Sequence, residues 1–76
     1  MDLDEIRTFV AIARLRNFSH AAGSLRRSQP AIRRRIELLE QDLGAPLFER
    51  LRTGAVLTDA GVTLLRDVGV ALSDRR

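Results

Sequence analysis

Residues 18–44 read FSHAAGSLRRSQPAIRRRIELLEQDLG, and the organisation of the chain follows from how this stretch divides. Asn17 breaks the pattern before it; Ala21, Ala22 and Leu25 then supply a short helix of small inward residues, with Ser19 offering an N-cap oxygen. Ser28 is the expected cap of a longer helix, in whose first turn Pro30 is tolerated because those amides lack an intrahelical acceptor. Ile32, Ile36, Leu39 and Leu43 recur at i, i+4, i+7 and i+11, which places the later three within about 40° of Ile32 at about 100° per residue. Arg34 then stands about 200° from Ile32, opposite the apolar stripe, while Arg33 and Arg35 project from the two flanks. Gly44 and Pro46 stop the helix near Leu43.

Working outward, Leu3, Ile6, Phe9, Val10 and Ala13 predict an amphipathic helix from Leu3 to Leu15 with acidic residues at its start, where the positive helix end favours them. Downstream, Leu47–Leu51 and Ala55–Leu57 flank Arg52-Thr53-Gly54 and predict a small β-hairpin that must lean on the helices through Leu47, Phe48 and Leu57. Thr58 and Asp59 open a fourth helix. Its Val62, Leu65, Val68 and Leu72 form one stripe, widened by Leu64 and Ala71, which serves either the chain's own core or, given its breadth, a subunit contact.

Composition bounds the chemistry. A chain of 76 residues, 45% hydrophobic and 30% charged, supports one folded core and is too apolar for a disordered tail. Cysteine is absent and His20 is the single histidine, so neither disulfides nor a metal cluster is expected. All 13 basic residues are arginine, which excludes a phosphate-loop lysine and a Schiff-base lysine. No Ser or Thr stands beside a usable base, so the chain reads as a non-enzyme with no cofactor. The longest apolar run, Phe9–Ala13, is far short of the ~20 residues a membrane helix needs, and no secretory signal follows Met1. A reducing, cytoplasmic setting fits.

Charge placement says more than net charge. Residues 6–36 hold eight arginines and no acid, a +8 block set against −5 elsewhere, together the formal +3. Either this is an unevenly charged solvated surface, or it is a face for a polyanion with the acids kept away from it. Two helices joined by a tight turn, the second basic at its leading end, make a helix-turn-helix. A helix of that kind fits the major groove of duplex DNA, where a guanidinium fork matches the O6 and N7 acceptors of guanine.

The segments Phe18-Ser19-His20-Ala21-Ala22, Ser28-Gln29-Pro30-Ala31-Ile32 with Ile36, Leu39-Glu40, Leu43-Gly44, Pro46-Leu47-Phe48-Glu49-Arg50 and Leu57-Thr58-Asp59-Ala60-Gly61 are each weak alone and jointly specific. On them the chain resembles the N-terminal DNA-binding domain of LysR-type transcriptional regulators of bacteria, a match that covers nearly its whole length. The resemblance implies a mainly α fold, a winged helix-turn-helix with a three-helix core, a β-hairpin wing and a C-terminal linker helix. It implies a DNA-binding domain over residues 1–57 and a linker and dimerisation helix over residues 58–76. The recognition helix would begin at Ser28, Gln29 and Pro30, with Arg33 and Arg34 facing bases or phosphates. The wing would bring Arg52 and Thr53 to the minor groove. Homodimers would form through antiparallel linker helices, by Val62, Leu64, Leu65, Val68, Ala71 and Leu72. An effector-binding domain, through which alone a small molecule would act, is expected to follow these residues, so the chain is expected to be a cut-down piece of a longer regulator.

Several positions depart from the family's pattern: Arg27, where an apolar residue is usual, Arg33 and Arg35, where small or neutral polar residues are common, and Gly54, Ala55 and Val56 of the wing, where basic residues are frequent, which leaves Arg52 as the candidate for the minor groove. The stem of Arg27 can cover apolar surface while its head stays wet. For single residues two readings stand side by side. Gln29 pairs with adenine or decorates the first turn; Arg50 clamps a phosphate or balances Glu49; His20 is a surface residue or touches phosphate. Phe9, Phe18 and Phe48 are too dispersed in sequence for a base-stacking platform and are expected in the core. The rival to DNA binding is a dimerisation module whose basic helix is incidental.

Overall fold

The structure, a computed structural model, describes residues 2–52 and 54–73, the last four of these by backbone alone. Within that set the order is α1 (Leu3–Leu15), α2 (Phe18–Leu25), α3 (Gln29–Leu43), β1 (Phe48–Leu51), β2 (Gly54–Leu57) and α4 (Asp59–Ser73). The first three helices pack on one another and the antiparallel hairpin closes against them, which is the expected winged helix-turn-helix.

Each helix begins on a side-chain oxygen. Asp2 accepts from the Glu5 N–H at 2.8 Å, and Ser28 accepts from the Ala31 N–H at 3.2 Å. The cap of α2 is Asn17 rather than Ser19: its Oδ1 accepts from the His20 N–H at 2.9 Å. A cap oxygen reaches amides two or three residues ahead, so capping from Asn17 starts the helix at Phe18 and leaves Ser19 inside its first turn. Between α2 and α3, Arg26 takes the left-handed conformation (φ 56) and the Arg27 N–H returns to the Ala22 carbonyl at 2.9 Å. That reversal sets the angle between the two helices, at about 1 kcal/mol for a non-glycine residue in this region.

Phe9, Ile12, Ala21, Ala22, Ile32, Ile36, Leu39, Leu47, Phe48 and Ala55 form the buried core. On α3 the expected stripe holds for Ile32, Ile36 and Leu39, whereas Leu43, at the helix end, is exposed. On α1 the stripe is rotated from the expected one. The buried line is Glu5, Thr8, Phe9 and Ile12, Leu3 is 60% exposed, and Ile6, Val10 and Ala13 are half-buried. Thr8 tolerates burial because its hydroxyl donates to the Asp4 carbonyl at 2.8 Å, the local bond that lets a small polar residue lie inward on a helix.

The hairpin pairs Phe48 with Leu57, Glu49 with Val56, Arg50 with Ala55 and Leu51 with Gly54. It is fastened to the end of α1: the Ala55 N–H donates to the Arg16 carbonyl at 3.0 Å. Gly54 at φ +147 allows that approach, since a Cβ there would run into the same carbonyl oxygen. α4 is seated as firmly. Thr58 donates its hydroxyl to the Pro46 carbonyl at 2.6 Å, accepts from the Gly61 N–H at 3.1 Å and donates its amide to the Leu47 carbonyl at 3.0 Å. Gly61 lies against that Leu47 carbonyl with no room for a side chain.

Candidate nucleic-acid interface

The inward pull of Ile32, Ile36 and Leu39 decides what α3 shows outside. Ser28, Gln29, Pro30, Arg33 and Arg34 are all exposed and gather on its N-terminal half. Neither Arg33 nor Arg34 has an ion-pair partner among the described residues. Two unpaired guanidinium forks on an exposed helix end can each donate two parallel hydrogen bonds to a phosphate or a guanine edge.

A groove between α3 and the hairpin is lined by Phe18, Arg33, Ile36, Glu37, Glu40, Phe48 and Arg50, so Arg33 and Arg50 border one groove although 17 residues apart in sequence. Strand alternation settles the orientation of Arg50. It shares the inner face of the hairpin with Phe48 and Ala55, while Glu49 points to the other face. Its guanidinium lies over the ring of Phe18, 4.9 Å from the centroid. Phe18 in turn stands edge-on to Phe48 at 5.8 Å, and Phe48 meets Phe9 at 5.4 Å. The three phenylalanines, dispersed in sequence, are therefore contiguous, and only Phe9 and Phe48 are core. Phe18 is half-buried and offers its outer face to a cation. Glu40 is taken up structurally, accepting the Leu47 N–H at 2.7 Å.

Arg52 is exposed at the tip of the hairpin, and Thr53 lies outside the described residues. The segregation of charge along the sequence does not carry over into space. Asp4, on α1, stands 3.2 Å from Nη2 of Arg27 and 3.2 Å from Nη1 of Arg35. Separations of 23 and 31 residues leave no periodic signal that could have revealed those pairs, and the same holds for Phe18 and Arg50.

The residues expected at a subunit contact are divided. Leu64 and Leu65 pack, half-buried, against the core together with Leu57 and Ala60. Val62 is 42% exposed on the outside of α4. Val68 lines a mostly apolar groove of about 640 Å³ with Leu3, Ile6, Val10 and Leu25, and Arg7, Arg14 and Ser24 also border it. The helix backbone continues through Ala71 and Leu72, whose side chains lie outside the described residues.

Fold and surface together define a winged helix-turn-helix with a basic leading edge on its second motif helix. Residues 3–62 match the bacterial regulatory helix-turn-helix proteins of the lysR family, and the chain belongs to that family. The HTH-type transcriptional regulator BudR of Klebsiella aerogenes is 46% identical over 76 residues, covering 97% of this chain and 53% of BudR. ClcR of Pseudomonas putida is 49% identical over 67 residues, covering 88% of this chain and 23% of ClcR. The chain thus spans about half the length of one relative and about a quarter of the other. Among solved structures, the CbnR DNA-binding domain in complex with DNA superposes with a TM-score of 0.88 at 40% identity, over 96% of this chain and 84% of that one.

Proposed function

We propose that the chain is the part of a bacterial transcriptional regulator that recognises a double-stranded DNA sequence, with α3 in the major groove and the hairpin beside the minor groove. The observation that carries this reading is the exposed, unpaired pair Arg33 and Arg34 on α3, Arg34 opposite buried Ile32, Ile36 and Leu39 and Arg33 on the flank. Arg34 and Gln29 read base edges, Arg33 reads a base or a phosphate, and Ser28 and Pro30 bring the helix end to the backbone. Arg50 grips a phosphate from its place over Phe18, and Arg52 and Thr53 approach the minor groove. The relative CbnR, whose DNA-binding domain was solved with DNA, supports the reading as a DNA-binding domain.

The regulator acts as a homodimer through α4. Val62 and Val68, with Ala71 and Leu72 further along the helix, belong to the contact with the second copy, and Leu64 and Leu65 brace the helix against its own domain. A two-fold dimer asks for a roughly palindromic site. The chain has no catalytic role, and it works in the cytoplasm where the DNA lies. No helix among the described residues is long and apolar enough to cross a membrane. Small-molecule control belongs to an effector-binding domain beyond these residues.

Selection of bound duplexes from a random pool, followed by titration of the selected site against salt, tests the reading. Arg34→Ala should cost about 1–3 kcal/mol, about 5- to 160-fold, and relax preference at one base pair. Arg50→Ala should weaken all duplexes evenly and make the salt dependence shallower by about one phosphate. A chain that forms dimers yet shows no salt-sensitive DNA binding would be a dimerisation module instead.

A further inference from the structure

Two arginines, Arg27 and Arg35, converge on one acceptor. Oδ2 of Asp4 lies 3.2 Å from each of them and accepts a hydrogen bond from Arg27. Arg27 immediately precedes Ser28, the cap of the recognition helix, and Arg35 lies on that helix next to Arg34. Nε of Arg35 is buried without an acceptor, so its contacts are made by the terminal nitrogens. A single carboxylate oxygen between two guanidinium groups is the arrangement in which a phosphate oxygen would sit.

The position of the cluster matters. Arg33 and Arg35 stand about 200° apart around α3, on its opposite flanks. A helix about 10–12 Å across fills a major groove about 12 Å wide, so each flank of a docked α3 meets one phosphate wall. One flank presents Arg33 and Arg50 without a paired acid; the other presents Arg27 and Arg35 with Asp4 between them. We infer that Asp4 acts as an intramolecular substitute for a DNA phosphate, filling the anion site between Arg27 and Arg35 and so holding down the sequence-independent part of DNA affinity. The inference rests on the DNA-binding reading above. The ion pairs are half-exposed and individually weak, but the tethered carboxylate keeps its charge beside any incoming phosphate. Affinity that comes from backbone charge alone is thereby lowered, while Gln29, Arg33 and Arg34 are untouched.

The test measures binding of the parent chain, Asp4→Asn, Arg27→Gln/Arg35→Gln and the triple variant to a mixed-sequence 40-bp duplex from 50 to 200 mM salt, with each fold checked by circular dichroism. Asp4→Asn should bind more tightly than the parent at 50 mM. Its advantage should shrink about 3.5-fold by 200 mM if one released guanidinium engages a phosphate, and about twelvefold if both do. With Asp4 in place, Arg27→Gln/Arg35→Gln should leave the parent's salt slope unchanged, and in that background Asp4→Asn should not steepen it. An unchanged slope in Asp4→Asn overturns the inference. So does an equal gain in the triple variant, which marks general charge removal, or a shallower slope in Arg27→Gln/Arg35→Gln, a result that stands even if Asp4→Asn fails to fold. Absence of salt-sensitive binding by the parent overturns the DNA-binding reading itself. Failure confined to the variants overturns the role of Asp4 alone.

Discussion

Replacing Phe18 by leucine separates the charge of Arg50 from its placement. Leucine keeps an apolar side chain beside Phe48 but removes the ring face over which the guanidinium lies at 4.9 Å. Two terms follow for the free domain. An exposed cation–π contact contributes about 0.5–1 kcal/mol, and the edge-on pair with Phe48 about 0.5–1.5 kcal/mol beyond burial. Stability should therefore fall by about 1–2.5 kcal/mol, and the melting temperature by several degrees, with the fold retained.

The effect on DNA binding has a different origin. A freed Arg50 must be ordered when it meets a phosphate, at about 0.5–1.5 kcal/mol for a long side chain, which is about 2- to 12-fold in affinity. Its charge remains, so the slope of log affinity against log salt should match the parent's, whereas Arg50→Ala should lose about 0.9 of that slope. Fluorescence anisotropy on one duplex at several salt concentrations reads both quantities. A folded Phe18→Leu chain with parental affinity, or one that loses slope as Arg50→Ala does, would refute the claim that the ring positions the guanidinium.

Glycine-to-alanine changes should move stability in opposite directions at two sites. Gly54→Ala drives a Cβ into the Arg16 carbonyl at φ +147 and breaks the attachment of the hairpin to α1, so thermal unfolding should show a loss of about 2–4 kcal/mol. Gly23, helical with open space around it, should gain about 0.5–1 kcal/mol on the same change, and a loss there would contradict the described geometry. Leu39→Ala should cost about 2–5 kcal/mol in denaturant unfolding, because the side chain is fully buried. Val62→Asp, on the exposed side of α4, should shift light scattering from dimer to monomer with little change in helix content; an unchanged mass would place the subunit contact elsewhere.

Helix existence and the exposure of Arg33 and Arg34 were legible in the chain because both depend on local rules. Caps, a glycine stop and a 3.6-residue period act within a turn or two, and an arginine opposite Ile32, Ile36 and Leu39 has nowhere to go but outward. The rotation of α1 was not legible. Leu3, Ile6, Phe9, Val10 and Ala13 make as good a stripe on paper as the buried line through Glu5, Thr8, Phe9 and Ile12, which shares only Phe9 with it, and only the neighbours decide which one faces in.

The amino-acid order by itself determined four helical segments, a glycine-turned hairpin and a basic leading end on the third helix, since each is set by dihedral preference and periodicity over short range. Tertiary structure alone decided which charges are neutralised and which are held ready. Asp4 reaches Arg27 and Arg35, and Phe18 reaches Arg50, only because packing brings separate helices and the hairpin within a few ångströms. Such contacts depend on distance through space, and spacing along the chain carries no record of it.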